Sequence, residues 1–262
     1  INIISVKLVE RLGMPLVRTY VEKAGVETPI SDEVGLTIGL GSPVVTVLEL
    51  CNAFSTFAKG GIRVDPIIVK EVYDRDGFSR YNYRNFTRKT RAFPEDVTYA
   101  LTYLLEGVCQ PGYMRNGEWV SGGSGWRTQA LDRPRAGKTG TTNESRNVWF
   151  SGFTPDYTCV VWLGYEDNRP MREEGQVNVT GGNTACPVWT DFMVRAHEGL
   201  PVHDFRRPQG VMFYYVDRQT GLLGGDFPEV FIRNTTPPTH MPQFTADDEI
   251  ERALNAQALE SL

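Results

Sequence analysis

A short central stretch of the chain concentrates side chains that could bind an anion. Residues 135–142 have the sequence Arg-Ala-Gly-Lys-Thr-Gly-Thr-Thr. The candidate site residues in this stretch are Lys138, Thr139, Gly140, Thr141 and Thr142. Few purely structural requirements explain that combination, so the stretch predicts a functional site. Two kinds of chemistry would use it: phosphate binding and acyl transfer by a serine enzyme.

Phosphate binding is the weaker interpretation. A phosphate-binding loop has the pattern G-x-x-x-x-G-K-[ST], which requires a glycine five residues before Gly137, where this sequence has Asp132. Such a loop should also open a helix, whereas the segment 148–150 has the composition of a strand. Both features disfavour a nucleotide hydrolase.

Acyl transfer fits the stretch better. Serine enzymes with S-x-x-K, S-x-N and K-T-G elements place the K-T-G segment on a strand beside the active site. Gly140 would then let a substrate backbone approach the strand edge, where a side chain would block it. A K-T-G tripeptide arises by chance in roughly one chain of this length in twenty. By itself it is therefore only suggestive.

The residues before this stretch predict mainly helices. Apolar spacing in the first 24 residues, interrupted by Gly13 and Pro15, predicts two short helices. A capping-box pattern at 46–49 opens a third helix that stops at Gly60 and Gly61. We further expect a strand over 66–73, a turn over 74–77 and a helix that opens at Pro94.

The residues after this stretch predict mainly strands. We expect a strand that starts at Lys138, a hairpin of strands 148–153 and 157–165, a helix over 186–197 after the loop 181–183, and a strand over 211–216. The order indicates an α+β fold, with an antiparallel sheet covered by helices. Residues 235–262 have the composition of a polar, acidic tail.

Composition narrows the function further. The chain of 262 residues has 27 basic and 32 acidic residues and a net charge of -5, so we expect no nucleic-acid partner. No apolar run approaches the roughly 20 residues that a membrane span needs. The four cysteines form no C-x-x-C and the three histidines no H-E-x-x-H, so we expect no metal and no cofactor. We interpret the cysteines as buried thiols: Cys51, Cys109, Cys159 and Cys186.

Three segments resemble the transpeptidase domain of class A penicillin-binding proteins. Residues 40–61 resemble a helix segment of that family, residues 138–155 its K-T-G-T-T strand and hairpin, and residues 181–193 its C-terminal helix. The matches occur in the family's order and together cover about residues 2–216. The resemblance implies a penicillin-binding or serine β-lactamase-like transpeptidase fold, of which this chain is a part.

The resemblance also implies a D,D-transpeptidase that cross-links peptidoglycan stem peptides ending in D-Ala-D-Ala and is acylated by β-lactams. Lys138 would provide positive charge near the substrate's carboxylate, and Thr139, Thr141 and Thr142 would provide hydrogen bonds. The backbone N–H of Thr141 would contribute to the oxyanion hole. From the residues alone, Lys138 could also be a solvated lysine of an edge strand, and the threonines could be ordinary strand formers.

The family's other two motifs fall at or before the start of the chain. Asn2 precedes an apolar helix as the asparagine of S-x-N does, and the resemblance gives it the role of orienting the substrate; a plain helix cap is the alternative. No lysine has a serine three residues before it, and the nearest miss, Thr56 before Lys59, lies in an apolar helix. We therefore expect the nucleophile upstream, and expect this chain alone to be inactive.

The implied organisation extends beyond the chain. Residues 1–234 would be the C-terminal part of the transpeptidase domain, and a glycosyltransferase domain and a membrane anchor would lie upstream. The resemblance places such a protein in the bacterial cell envelope, at the extracytoplasmic face of the inner membrane. Asn147 departs from the family, which often has an acidic residue there. The competing interpretation is a non-catalytic module that binds peptidoglycan or a protein partner.

Overall fold

A computed structural model of the chain describes residues 2–85, 87–115, 118–171 and 179–240. The chain consists of two compact units, Ile1–Gln209 and Gly210–Leu262. The acidic tail predicted from residue 235 lies outside the described residues from 241 onwards.

The first unit contains all the elements that surround the 135–142 stretch. Its α-helices are α1 (Asn2–Leu12), α2 (Met14–Ala24), α3 (Val47–Ala58), α4 (Glu95–Val108) and α5 (Cys186–Ala196). Its strands are β1 (Ile62–Val64), β2 (Glu71–Tyr73), β3 (Ser79–Asn82), β4 (Lys89–Arg91), β5 (Tyr113–Arg115), β6 (Glu118–Val120), β7 (Ala136–Thr141), β8 (Asn147–Phe153) and β9 (Thr158–Gly164). The five predicted helices are thus confirmed.

The central sheet consists of β7, β8 and β9, in that order. Both pairs are antiparallel, with Lys138 opposite Ser151 and Trp149 opposite Trp162. The predicted hairpin is confirmed. The preceding strand begins at Ala136, two residues before the predicted start at Lys138. Alanine and glycine at 136 and 137 are poor strand formers, so the sequence does not reveal these two positions.

Helices cover this sheet on both faces. Successive side chains of a strand point to opposite faces, so Phe150 and Phe153, three positions apart, lie on opposite faces of β8. Phe150 packs edge-on against Trp189 of α5, with ring centroids 5.1 Å apart. Phe153 packs edge-on against Phe54 of α3, with ring centroids 6.4 Å apart. The predicted antiparallel sheet covered by helices is confirmed.

The strand predicted over 66–73 is largely wrong. Only Glu71–Tyr73 is a strand; it pairs with β3 across the predicted turn at 74–77. Ile67, Ile68 and Val69 have the right composition but are 39%, 86% and 50% exposed and belong to no strand. A short strand that the sequence analysis missed, β1, precedes them and pairs with β4.

The prediction that the cysteines are buried is confirmed for two of the four. Cys109 and Cys186 are buried, whereas Cys51 and Cys159 are only half-buried, and all four thiols are free. Among the described residues, no cluster of three or more His, Cys, Asp or Glu is arranged to hold a metal ion. No helix within the described ranges is long and apolar enough to span a bilayer.

The second unit is a two-stranded antiparallel ribbon. Its strands are β10 (Val211–Val216) and β11 (Phe227–Ile232), with Val211 opposite Ile232. The first strand is the predicted one. The second contains Pro228, and a proline lowers the strand propensity of a short segment, so the sequence analysis did not anticipate it.

Glu49 at the start of α3 joins this helix to the chain that follows α2. Thr46 and Glu49 form the predicted capping box. Glu49 Oε1 also accepts hydrogen bonds from the backbone N–H groups of Glu27 (2.9 Å) and Thr28 (2.6 Å), and Oε2 accepts one from the Thr28 hydroxyl at 2.9 Å. Oε2 also accepts from the backbone N–H and the hydroxyl of Thr46, both at 2.8 Å. The bonds from Thr46, its backbone N–H first, and those from Thr28 lower the pKa of Glu49 to about 2.

We expect Glu49→Gln to lower the free energy of unfolding by about 1–3 kcal/mol, because the amide nitrogen cannot accept the bonds that Oε1 or Oε2 now accepts. The folded pKa of about 2 is below the ordinary value of 4.5. The stabilisation is therefore complete above the ordinary value and is lost as the pH falls towards about 2. Urea denaturation of both proteins at several pH values measures this. Glu10→Gln, on the exposed side of α1, is the control, and equal effects of the two substitutions would contradict the assignment.

Candidate active site

Four of the predicted site residues, Lys138, Thr139, Gly140 and Thr141, lie on an edge strand. Within the described sheet, β7 pairs with β8 only, which leaves its other edge unpaired. Lys138 and Gly140 lie on one face, opposite Ser151 and Trp149, while Thr139 lies on the other face, opposite Phe150. The strand continues through Thr141. The alternative of a phosphate-binding loop that opens a helix at Lys138 is therefore wrong.

Lys138 lies along the strand edge. Its Nζ donates a hydrogen bond to the backbone oxygen of Thr139 at 2.8 Å. The residue is exposed. The protein around its ammonium group nevertheless removes enough water to lower the pKa of that group. Lys138 is thus a partly desolvated cation, which is a better anion ligand than a fully hydrated one.

Arg135, the other cation of the stretch, has a structural role. Its Nε donates to the Thr128 hydroxyl at 2.9 Å, and one terminal nitrogen donates to the backbone oxygens of Leu131 (2.8 Å) and Arg133 (2.9 Å). These bonds hold the loop that precedes β7 in place. Lys138 therefore remains as the cation that this stretch offers to a ligand.

Thr141 contacts the segment that leads into α5. The backbone N–H of Gly181 donates to Thr141 Oγ1 at 3.0 Å. The two backbones are so close that a Cβ at Gly181 would lie 2.3 Å from the oxygen of Trp149 and 2.6 Å from that of Gly140. The loop predicted at 181–183 is instead the start of one π-helical turn, Gly181–Ala185, that continues into α5. The sequence analysis placed the glycines before α5 but not against β7.

Thr139 contacts a loop that the sequence analysis did not single out. Its Oγ1 lies 2.7 Å from the Oγ of Ser124. A Cβ at Gly182 would lie 2.3 Å from the backbone oxygen of Ser124 and 3.8 Å from the methyl group of Thr139. Three separate segments therefore meet at Thr139. A glycine-rich run at 122–125 is the only trace of this loop in the sequence.

Gly140 and Thr142 are constrained by the sheet itself. A Cβ at Gly140 would lie 3.1 Å from Cβ of Trp149, so the neighbouring strand would have to shift by a few tenths of an ångström to accept a side chain here. The Thr142 hydroxyl accepts the backbone N–H of Asn147 at 2.9 Å, and the Thr142 N–H donates to the Asn147 oxygen at 3.0 Å. Thr142 thus closes the turn between β7 and β8. The Asn147 side chain accepts from Trp162 Nε1 at 2.9 Å.

The structure does not bring Asn2 to this cluster through any hydrogen bond among the described residues. Asn2 is exposed at the start of α1, which packs against α2 and the 3₁₀ segment Asp32–Leu40. Thr56, the nearest miss for a nucleophile, is 1% exposed, and its hydroxyl donates to the oxygens of Ala24 and Asn52 at 2.9 and 3.1 Å. Thr56 is therefore a core residue.

The fold and this edge strand agree with one family. The family model described as "Penicillin binding protein transpeptidase domain" matches residues 1–180. The chain therefore belongs to the transpeptidase family of penicillin-binding proteins, as the class A resemblance predicted.

The individual relatives are penicillin-binding proteins 1A. The protein of that name from Vibrio cholerae is 28% identical over 85% of this chain, and that from Neisseria lactamica is 31% identical over 80%. These matches cover 31% and 25% of the respective relatives, so the chain spans about a quarter to a third of their length.

Solved structures show the same fold. Penicillin-binding protein 1A from Haemophilus influenzae matches 92% of this chain and 40% of its own with a TM-score of 0.75 at 23% identity. The PonA1 protein from Mycobacterium tuberculosis, solved in complex with penicillin V, matches 89% of this chain and 59% of its own with a TM-score of 0.64 at 20% identity.

We expect Gly181→Ala to displace the start of α5 from β7, because the added methyl group would fall 2.3 Å from a backbone oxygen. The protein should lose about 1–3 kcal/mol of unfolding free energy, measured by urea denaturation. Gly107→Ala is the matched control, since nothing lies within 4 Å of the added Cβ and alanine has a higher helix propensity than glycine in the last turn of α4. A Gly181→Ala protein as stable as the control would contradict the close contact.

Proposed function

We propose that this chain forms part of a serine D,D-transpeptidase, in which β7 binds the carboxylate end of a peptidoglycan stem peptide. The observation that carries the proposal is the unpaired edge of β7, the strand that holds a partly desolvated cation at position 138 and threonine hydroxyls at positions 139 and 141. Family membership supports a transpeptidase role. The penicillin V complex of the PonA1 protein supports β-lactam binding by the fold.

The reaction has two acyl transfers. A serine hydroxyl, supplied by the segment expected upstream of this chain, attacks the carbonyl carbon of the penultimate D-alanine. The peptide C–N bond breaks, and D-alanine leaves with a proton on its nitrogen. The amine of a neighbouring stem peptide then attacks the acyl-enzyme ester, the ester C–O bond breaks, and the serine regains a proton. A β-lactam stops after the first transfer because its ring opens without releasing a leaving group from the site.

Residues of this chain bind the substrate and stabilise charge. Lys138 attracts the terminal carboxylate and stabilises anionic states of the nucleophile. Thr139 and Thr141 donate hydrogen bonds to the carboxylate oxygens, and charge-assisted bonds of this kind are the strong ones. The backbone N–H of Thr141 forms half of the oxyanion hole, a donor that in other enzymes contributes about 3–4 kcal/mol. Gly140 leaves room for the substrate backbone, and Thr142 holds the end of the strand.

The proposal also gives Asn2 the role of the asparagine of an S-x-N element that orients the substrate amide, although no hydrogen bond of the described residues joins it to β7. The rest of the implied protein, with its glycosyltransferase domain and membrane anchor, would place the site at the extracytoplasmic face of the inner membrane. Its partners would be stem peptides and β-lactams, without nucleic acid. The chain's coverage of only 31% of a relative such as the Vibrio cholerae protein agrees with a larger protein.

We expect Lys138→Ala, in the protein that joins this chain to the upstream segment, to slow acylation by a fluorescent penicillin at least tenfold, because the cation nearest the carboxylate is lost. Lys59→Ala is the control, since Lys59 is an exposed residue at the C-terminal end of α3. Acylation is measured as the rate of band labelling at several penicillin concentrations. Equal rates for the two variants would refute the role of Lys138.

We also expect the 262-residue chain alone to form no covalent adduct with the same penicillin, because no serine stands three residues before any of its lysines. Intact-mass spectrometry after incubation measures this, with the longer protein as the positive control. A stoichiometric mass increase of the short chain would show that a nucleophile lies within it. Failure of the longer protein to become labelled would instead favour the non-catalytic binding module.

A further inference from the structure

We propose that Ser124 is a positioning residue of the carboxylate subsite: its hydroxyl donates to Thr139 and thereby directs the Thr139 proton towards the substrate carboxylate. This inference rests on the proposed function and adds a residue from a loop outside the K-T-G strand. The observation behind it is the 2.7 Å distance between Ser124 Oγ and Thr139 Oγ1.

The backbone of Ser124 is held from two sides, so its hydroxyl is placed by the fold and does not merely lie nearby. On one side, the N–H of Gly123 donates to the oxygen of Gln110 and the N–H of Gly125 to the oxygen of Val108, both at 2.9 Å. On the other side, the Ser124 oxygen lies against Gly182, where an added Cβ would come within 2.3 Å. The loop is thus fixed between the end of α4 and the start of α5.

A count of hydroxyl protons explains what Ser124 contributes. A hydroxyl has one proton to donate and two lone pairs to accept with. Ser124 and Thr139 have one hydroxyl proton each, and the hydrogen bond between them uses one of the two. When Ser124 is the donor, the Thr139 proton remains free to donate to a ligand. Thr141 Oγ1 already accepts the Gly181 N–H at 3.0 Å, so its proton also remains. The edge therefore offers two directed hydroxyl protons, one for each oxygen of a carboxylate.

Without the Ser124 hydroxyl, none of the other described residues donates a hydrogen bond to the Thr139 hydroxyl to fix its orientation. Its hydroxyl can then turn its proton towards another acceptor or towards water. The effect of Ser124 should consequently appear only for ligands that carry the carboxylate. It should also disappear when Thr139 no longer has a hydroxyl.

The test uses the protein that joins this chain to the upstream segment, with benzylpenicillin and its methyl ester as probes. We expect Ser124→Ala to slow acylation by the acid about fivefold, which is the scale of one neutral hydrogen bond. Acylation by the ester should be nearly unchanged. Ser124→Thr, which keeps the hydroxyl at an exposed position, should retain the rate. A purely structural role of Ser124 would slow both probes alike and would overturn the inference.

A double-mutant cycle with Thr139→Val tests the route through Thr139. We expect Ser124→Ala to have no further effect on the acid in the Thr139→Val background. Independent effects that multiply, or an unchanged rate in Ser124→Ala alone, would refute the positioning role. Absence of labelling in the unsubstituted protein would instead refute the proposed function, so the two failures are distinguishable.

Discussion

The close approach of Gly181 to the backbones of Gly140 and Trp149 is the contact on which the geometry of the site depends. A side chain at position 181 cannot fit between them, since its Cβ would lie 2.3 Å from one backbone oxygen and 2.6 Å from the other. The same approach brings the Gly181 N–H to Thr141 and places Gly182 against Ser124. The start of α5, strand β7 and the loop that contains Ser124 therefore contact one another through Gly181 and Gly182. This close packing holds the hydroxyl groups of Thr139 and Thr141 in fixed positions.

The charge distribution around this joint favours an external anion. No carboxylate of the described residues lies within ion-pair distance of Lys138, whose pKa is lowered by desolvation. Arg135 uses its hydrogen bonds to fix the loop before β7. A partly desolvated cation without an internal counterion has lost part of its hydration energy. The attraction of an incoming carboxylate can compensate for that loss. The Lys138 cation, with no counterion among the described residues, thus lies on the same strand as two hydroxyl groups that can donate to an anion.

The parts of the fold that the sequence predicted are those specified locally. The capping box at Thr46 and Glu49 and the hairpin turn after Phe153 each depend on residues within a few positions. Lys138, Thr139 and Gly140 were recognisable because the chemistry requires them at consecutive strand positions. Ser124 was not recognisable, since its importance comes from a contact with a residue 15 positions away. Local propensity also misassigned Ile68, which has no partner strand within the described part of the chain.

The choice of hydroxyl groups in place of a second cation suits a transferase. In the proposed reaction the bound carboxylate must leave with D-alanine before the acceptor amine can enter. A hydrogen bond from a neutral hydroxyl to a carboxylate contributes about 1.5–3 kcal/mol, whereas a second cation would add a full charge–charge attraction to the one that Lys138 provides. A second cation in place of Thr139 would therefore slow the departure of D-alanine by strengthening its binding. In the proposed site, one lysine would attract the carboxylate, and directed hydroxyls such as Thr139 and Thr141 would orient it with less retention than a second cation.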